Sequence, residues 1–200
     1  KEFFIRELFW REFYNYILFH FPKSEDENLN KISVNWNEDE TVLQKWCEGN
    51  TGVPIIDAAM RYFNLTGTMH NRLRMIVSSY LTKNLLVNWK KGEQYFASKL
   101  LDYEASSNVG SWQWAASTGA DSVPYFRIFN PYLQSAKFDK DAVFIKSVIT
   151  ELKDVNTKLI HSENGVQSNI FLNYPSQIVS IDFSRKRAIE EFKRANNEKA

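Results

Sequence analysis

The sequence predicts an all-α fold. Apolar residues recur at helical spacing through most of the chain, while Gly (7) and Pro (5) are too sparse for a turn-rich sheet protein. No pair of segments shows the strict alternation of strands, and no internal repeat is present.

From the N-terminus, Ile5, Leu8, Phe9, Phe13, Ile17 and Leu18 mark an amphipathic helix over Phe3–Phe19. Phe21 to Trp36 is polar and acidic and reads as a loop. A helix over Asp39–Glu48 is expected to stop at Gly49, and Pro54 suits the first turn of the next, which runs to Gly67. Thr68 is a candidate cap for a helix reaching Trp89, with Gly92 separating it from Glu93–Leu101. Further helices are expected over Val109–Ser117, Asp139–Thr150 and Ser184–Asn196. Asn164-Gly165 and Tyr174-Pro175 mark turns in an irregular segment.

Two hundred residues suit one domain, spanning 1–200. No apolar run approaches the roughly 20 residues that cross a bilayer. Cys47, the one cysteine, has no partner for an intramolecular disulfide, and with three scattered His it makes no metal site. A monomeric cytoplasmic protein without membrane contact is expected. The first helix starts at residue 1 without an initiator Met, which predicts the C-terminal piece of a longer protein.

Net charge is only +1. From Ile55 to Leu101, however, seven basic residues face two acidic ones, whereas Phe21 to Glu48 carries seven acidic against three basic. The basic segment reads either as a polyanion footprint or as ordinary solvated helix faces.

Three clusters carry chemistry. In the first helix Phe4, Glu7 and Arg11 share a face, with Trp10 on the adjoining stripe; the alternative is a Glu7–Arg11 pair over a packed indole. Met69 to Met75 offers Asn71, Arg72, Arg74 and Met75 on one helix start. The two arginines lie about 200° apart there and serve different partners, while His70 reads as a capping or packed imidazole. The third cluster runs from Asp102 to Trp114, with Glu104, Asn108, Trp112 and Trp114. Its two indoles also lie about 200° apart, so that either one faces a cleft or both are core.

From Trp46 to Pro131 the chain resembles the flavin-binding helical domain of the DNA photolyase and cryptochrome family. The matching runs are Glu48 to Arg61, Met69 to Met75, Gly110-Ser111-Trp112-Gln113-Trp114-Ala115-Ala116-Ser117-Thr118-Gly119 and Pro124 to Pro131. Trp10 to Tyr14 fits as well, and a looser likeness extends from Glu7 to Pro175. The resemblance is greatest to the class I cyclobutane pyrimidine dimer photolyases. It implies an FAD held in the helical domain and a light-driven repair of pyrimidine dimers in UV-damaged DNA by electron transfer to a flipped-out dimer.

Position by position, the resemblance implies flavin contacts at Glu7, Arg11, Asn71, Arg74, Asp102, Glu104 and Asn108, with Phe4 as an aromatic wall against the cofactor. Asn108 falls beside flavin N5. Trp10 and Trp114 fall beside the dimer, where Glu7 reaches its bases, and Asn71, Arg72, Met75 and Gln134 fall on the lesion pocket or DNA surface. Trp112, Trp89 and Trp36 match an electron relay to the surface. Asn71 after His70 favours cyclobutane dimers over (6-4) photoproducts. Phe4, Glu104, Thr68 and Ser180-Ile181-Asp182 depart from the family pattern. The N-terminal antenna domain, with its folate- or deazaflavin-type chromophore, and the FAD-phosphate segment lie outside these 200 residues, so the piece alone is expected to hold little FAD. A cryptochrome-like photoreceptor without repair activity, and a non-catalytic DNA-binding helical module, are the competing readings.

Overall fold

Side chains that satisfy the free amides of a first turn set most helix starts in this chain. Asp39 accepts from Thr41 N at 2.9 Å, Asn88 from Lys90 N at 3.1 Å and Asn130 from Tyr132 N at 3.0 Å. In the computed structural model residues 2–168 and 172–198 are described, and among them there is no strand. The long helices are α1 (Glu2–His20), α2 (Glu40–Glu48), α3 (Pro54–Thr66) and α4 (Asn71–Ser79), followed by α5 (Trp89–Lys99) and α6 (Ala105–Ala116). After them come α7 (Pro131–Phe138), α8 (Val143–Val148), the single turn α9 (Thr157–Ile160) and α10 (Ile181–Asn197). Short 3-10 turns cover Pro22–Glu25 and Thr150–Leu152.

The core forms around α3. Residues Pro54 to Met60 are all buried, because α3 is covered by α2, α4, α7 and α8 at once. Trp46, Phe63, Tyr80, Trp89 and Phe96 fill the centre. A second cluster, Ile32, Val34, Leu86, Ala188 and Phe192, seats α10 beside Trp36. Both glycine stops hold: Gly49 and Gly67 sit at φ 68° and 66°, the left-handed conformation that closes a helix at little cost only for glycine.

Several expected boundaries are corrected. His70, not Thr68, caps α4, its Nδ1 accepting from Arg72 N at 3.1 Å. The helix does not reach Trp89. It widens into a π turn over Tyr80–Asn84, ends at Leu86 (φ 58°), and Trp89 opens α5. Gly92 lies inside α5 rather than between helices. Helix α6 starts four residues earlier than expected, and α7 went unforeseen. Helix α8 starts late because the Asp139 carboxylate takes the amides of Phe144 and Ile145. Helix α1 buries only the second half of the expected face: Phe13, Ile17 and Leu18 are part-buried, with Tyr14, on the helix that packs on α6, whereas Ile5, Leu8 and Phe9 are exposed.

Nor is the basic segment one solvated face. Lys83 is fully buried by the π turn, its Nζ donating to Ala116 O (3.0 Å) and Ser117 Oγ (2.8 Å) below the Phe192 ring. Arg61 pairs with Glu151, Arg74 with Asp102, and Lys91 with Glu38 and Glu40. Four of the seven cations thus have partners within the molecule, and for three of them the partners are carboxylates.

Candidate functional site

A cavity of about 500 Å³ opens between α1, α4, α5, α6 and the α5–α6 loop, within the size range of small-molecule sites. The residues that reach it follow from helix spacing. On α6, Ser107, Ser111 and Trp114 are spaced i, i+4, i+7, with Asn108 and Trp112 flanking them. Phe96 of α5 and Leu100, the residue that follows this helix, sit about one turn apart, Asn71, Arg74, Met75 and Ser78 line α4, and Glu7, Trp10 and Tyr14 repeat along α1.

Close packing fixes the walls. Tyr14 lies on Gly110, where a Cβ would stand 2.1 Å from its ring, and it stacks on Trp10 with centroids 5.9 Å apart. Burial, helped by the charge of Asp121, pushes the Tyr14 phenol up to about 12 despite a hydrogen bond with Ser111, so it remains a donor at neutral pH. Phe96 meets Trp112 edge-on at 5.1 Å, and both meet Trp46. Trp112 is buried, whereas the half-buried Trp114 lies on the opposite stripe and lines the cavity.

The polar edge is held by ion pairing and capping. Arg74 donates through one Nη to both oxygens of Asp102 at 2.9 Å, and its Nε donates to Met69 O at 2.7 Å. Glu104 caps α6, accepting from Ser106 N (3.0 Å) and Ser107 N (2.9 Å). Partial burial raises the Glu104 carboxyl, but the Ser107 and Ser106 hydrogen bonds outweigh it and hold the group below its usual range. A carboxyl with a depressed folded pKa stabilises above its unfolded value, near pH 4.3, and loses that contribution as pH falls through the folded one. Glu104→Ala is therefore expected to lower stability by about 1 kcal/mol at pH 7 and by less at pH 3, read from urea midpoints. Equal loss at both pH values would show that the charged cap contributes nothing.

The structure gathers Glu7, Trp10, Asn71, Arg74, Met75, Asp102, Glu104, Asn108, Trp112 and Trp114 on one cavity. It does not bring Phe4, Arg11, Arg72 or Gln134 there. Phe4 is 70% exposed, and Arg11 pairs with its neighbour Glu12 rather than with Glu7. The Arg72 guanidinium lies 4.6 Å from the Phe138 ring centroid, on a different partner from Arg74. Gln134 is half-buried on α7, with Oε1 enclosed and unpartnered. Trp89 is buried, donating Nε1 to Asn28 Oδ1 at 2.8 Å, and Trp36 is half-buried against Phe192. Among the described residues no ring contact joins Trp112 to Trp89 or Trp89 to Trp36; the ring neighbours of Trp112 are Trp46 and Phe96.

Tyr14, Phe96, Ser107 and Ser111 were missed, as was Glu93 behind Asn108. Their signal was available: Glu93, Phe96 and Leu100 recur at i, i+3, i+7 from a helix whose true start is Trp89.

The donor set suits a flat heteroaromatic ring. Indole and phenyl rings supply apolar walls, while two amides, three carboxylates and a guanidinium supply donors and acceptors. An isoalloxazine fits these requirements. Among the described residues no group of His, Cys, Asp and Glu is arranged to hold a metal, and no helix is long and apolar enough to cross a membrane.

Comparison with known proteins agrees with this geometry. Residues 4–194 match the family described as the FAD binding domain of DNA photolyase. The deoxyribodipyrimidine photo-lyase of Buchnera aphidicola subsp. Baizongia pistaciae is 47% identical over 196 residues, covering 96% of this chain and 41% of that protein. The chain thus spans about two-fifths of the length of the curated relatives it matches. Among solved structures, the archaeal photolyase of Sulfolobus tokodaii, crystallised with two FAD molecules, superposes with a TM-score of 0.89 at 42% identity, covering 97% of this chain and 45% of that one. A cryptochrome of Synechocystis superposes at 0.87 with 32% identity, covering 95% and 41%.

Proposed function

The chain belongs to the family of FAD-binding domains of DNA photolyases, and from that premise we propose that it is the catalytic domain of a cyclobutane pyrimidine dimer photolyase. The whole protein repairs UV-damaged DNA under light as a monomeric cytoplasmic enzyme. Its antenna chromophore, of folate or deazaflavin type, binds outside this domain.

The observation that carries the reading is one cavity with two indoles, Trp10 and Trp114, among its lining residues, Phe96 and Trp112 as apolar wall, and an amide and carboxylate edge. FAD, when bound, supplies the one-electron chemistry that splits the dimer. Everything else falls to the chain. Phe96, Leu100 and Trp112 exclude water from the ring-binding wall. Asn71, Asn108, Glu104 and the Arg74–Asp102 pair meet the polar ring edge and fix its register. Trp10 and Trp114 stack on the flipped bases, and Glu7 accepts a hydrogen bond from a base edge. Flipping costs a few kcal/mol, and less for bases already poorly paired, so the pocket selects damage. Trp112, Trp89 and Trp36 would relay single electrons from an external reductant at the surface to the flavin when it is bound.

Two measurements test this. The purified 200-residue protein incubated with FAD is expected to hold little of it on gel filtration. A stoichiometric, structured flavin band would overturn that expectation, and restoration of a dimer-containing oligonucleotide under near-UV light by the loaded protein would then support repair. Flavin retention without lesion-dependent DNA binding would instead favour a cryptochrome-like photoreceptor. DNA affinity without flavin would leave a binding module. Replacing Trp114 by Ala removes one stacking face, about 1–3 kcal/mol, so affinity for the dimer-containing oligonucleotide is expected to fall roughly tenfold to a hundredfold. Equal affinities of the two proteins in a titration would exclude Trp114 from the lesion site.

A further inference from the structure

We propose that Lys83, which does not line the cavity, is a positioning residue for Trp114: its amine closes the carbonyl end of α6 and so fixes where that indole stands in the cavity wall. What Trp114 does there rests on the lesion reading above; that Lys83 sets its place does not.

A helix leaves its last four carbonyls without partners inside the helix. In α6 these belong to Gln113, Trp114, Ala115 and Ala116. Thr118 N and Gly119 N return to Gln113 O at 3.0 and 3.2 Å, and Ser117 N and Val123 N reach Trp114 O at 3.2 and 3.3 Å. Ala116 O, at the very end, accepts from Lys83 Nζ at 3.0 Å. The same Nζ donates to Ser117 Oγ at 2.8 Å, and that hydroxyl donates onward to Val123 O at 2.6 Å. Val123 is thereby held twice, its N–H on the Trp114 carbonyl and its C=O on the hydroxyl that Lys83 orients. Only Ser117 and Val123 stand between the amine and the backbone of Trp114.

Ser117 needs this support. It turns the chain at φ 63°, in the left-handed region that a serine enters only at a cost. Lys83 can supply the support because the π turn buries it completely, with the Phe192 ring centroid 3.4 Å from Nζ. Burial pushes the amine down, and among the described residues no carboxylate pairs with it. Charged or neutral, it keeps the two hydrogens that its two oxygen partners take. An apolar side chain of the same length would pack there without the cost of burying an amine, so what the lysine adds is a directed pair of bonds.

The test labels the protein with fluorotryptophan and follows the six indoles by fluorine NMR, with Trp114 assigned through Trp114→Phe. Lys83→Met keeps the length of the side chain and removes its donors. Ser117→Ala leaves Lys83 in place and breaks the link to Val123. Both are expected to shift or broaden the Trp114 resonance and to leave those of Trp10 and Trp46 in place. Asn84→Ala is the control: it removes a buried bond from the same π turn, Nδ2 to Ser184 Oγ at 2.8 Å, that goes to α10 instead of α6. It is expected to lower stability and leave Trp114 unmoved. A Trp114 resonance unchanged in Ser117→Ala overturns the proposal even if Lys83→Met does not fold, and an equal shift in Asn84→Ala overturns it too. A second arm, with FAD in excess, compares affinity for a dimer-containing oligonucleotide with affinity for the undamaged one. Ser117→Ala is expected to narrow that ratio about threefold to tenfold, through partial loss of the stack at Trp114. If the wild type shows no preference for the lesion, the lesion reading fails and the fluorine arm alone decides what Lys83 does.

Discussion

Asp57→Ala is expected to unfold the domain more readily than any other single truncation of a polar side chain, lowering stability by roughly 3–5 kcal/mol in urea or thermal denaturation. The carboxylate is completely buried and accepts four hydrogen bonds, from Thr51 N (2.7 Å), Thr51 Oγ1 (2.6 Å), Gly52 N (3.0 Å) and Tyr174 Oη (2.6 Å). Burial pushes the carboxyl up, and these four donors oppose it. Alanine would leave all four donors facing an apolar void, each enclosed donor costing about 1–3 kcal/mol unless water enters. The bonds also join distant parts of the chain. The loop before α3 is held by the first three, and Tyr174 ties the segment leading into α10 back onto it. Tyr174→Phe removes one donor and leaves the other three, so a loss of about 1.5–3 kcal/mol is expected there. A loss below about 1 kcal/mol for Asp57→Ala would mean that the loop finds other partners.

That network explains part of what sequence reasoning reaches and part of what it misses. Asp57 belongs to the run Glu48 to Arg61 that carries the family resemblance, yet nothing in its spacing says that Tyr174, more than a hundred residues away, completes its shell. Helices α2, α3 and α10 are legible because their stops and starts are local. Asp39, Gly49, Pro54, Gly67 and Ser180 each act within a turn of where they stand. The end of α4 is not local. The π turn over Tyr80–Asn84 sends Lys83 to the carbonyl end of α6 and Asn84 Nδ2 to Ser184 Oγ, and a sequence window around Lys83 contains neither partner. Its charge therefore reads as a solvated face when it is core.

Helix α7 had a visible signal, Asn130 as a side-chain cap followed by Pro131 in the first turn. The cavity was legible in the same uneven way. Residues that reach it from familiar motifs were found, whereas Tyr14, Phe96 and Glu93 act through packing and a buried hydrogen bond, which only the approach of α1, α5 and α6 creates.

Gly92 shows how far tertiary contact overrides local preference. In a helix interior Gly→Ala ordinarily stabilises by about 0.5–1 kcal/mol, and the residue's φ is not in the left-handed region. Local reasoning thus predicts a gain for Gly92→Ala. The structure predicts a loss. The added Cβ would lie 2.3 Å from Trp112 Cη2 and 2.5 Å from Leu81 Cδ2, far inside contact distance, and both residues are buried. Overpacking of this kind costs about 1–3 kcal/mol, and the larger end is expected because Trp112 is also pinned by Phe96 and Trp46. The direction of relief matters for function. Trp112 lines the cavity, so an indole displaced from α5 moves along the wall that receives the ring. Flavin affinity is expected to fall together with stability, whereas Gly67→Ala, strained by its positive φ, the exposed Leu101 side chain and the Lys99 carbonyl, lowers stability and leaves the cavity wall in place. Urea denaturation with parallel FAD titration separates the two. A stabilised Gly92→Ala protein would mean that α5 and α6 are spaced more widely than this packing requires.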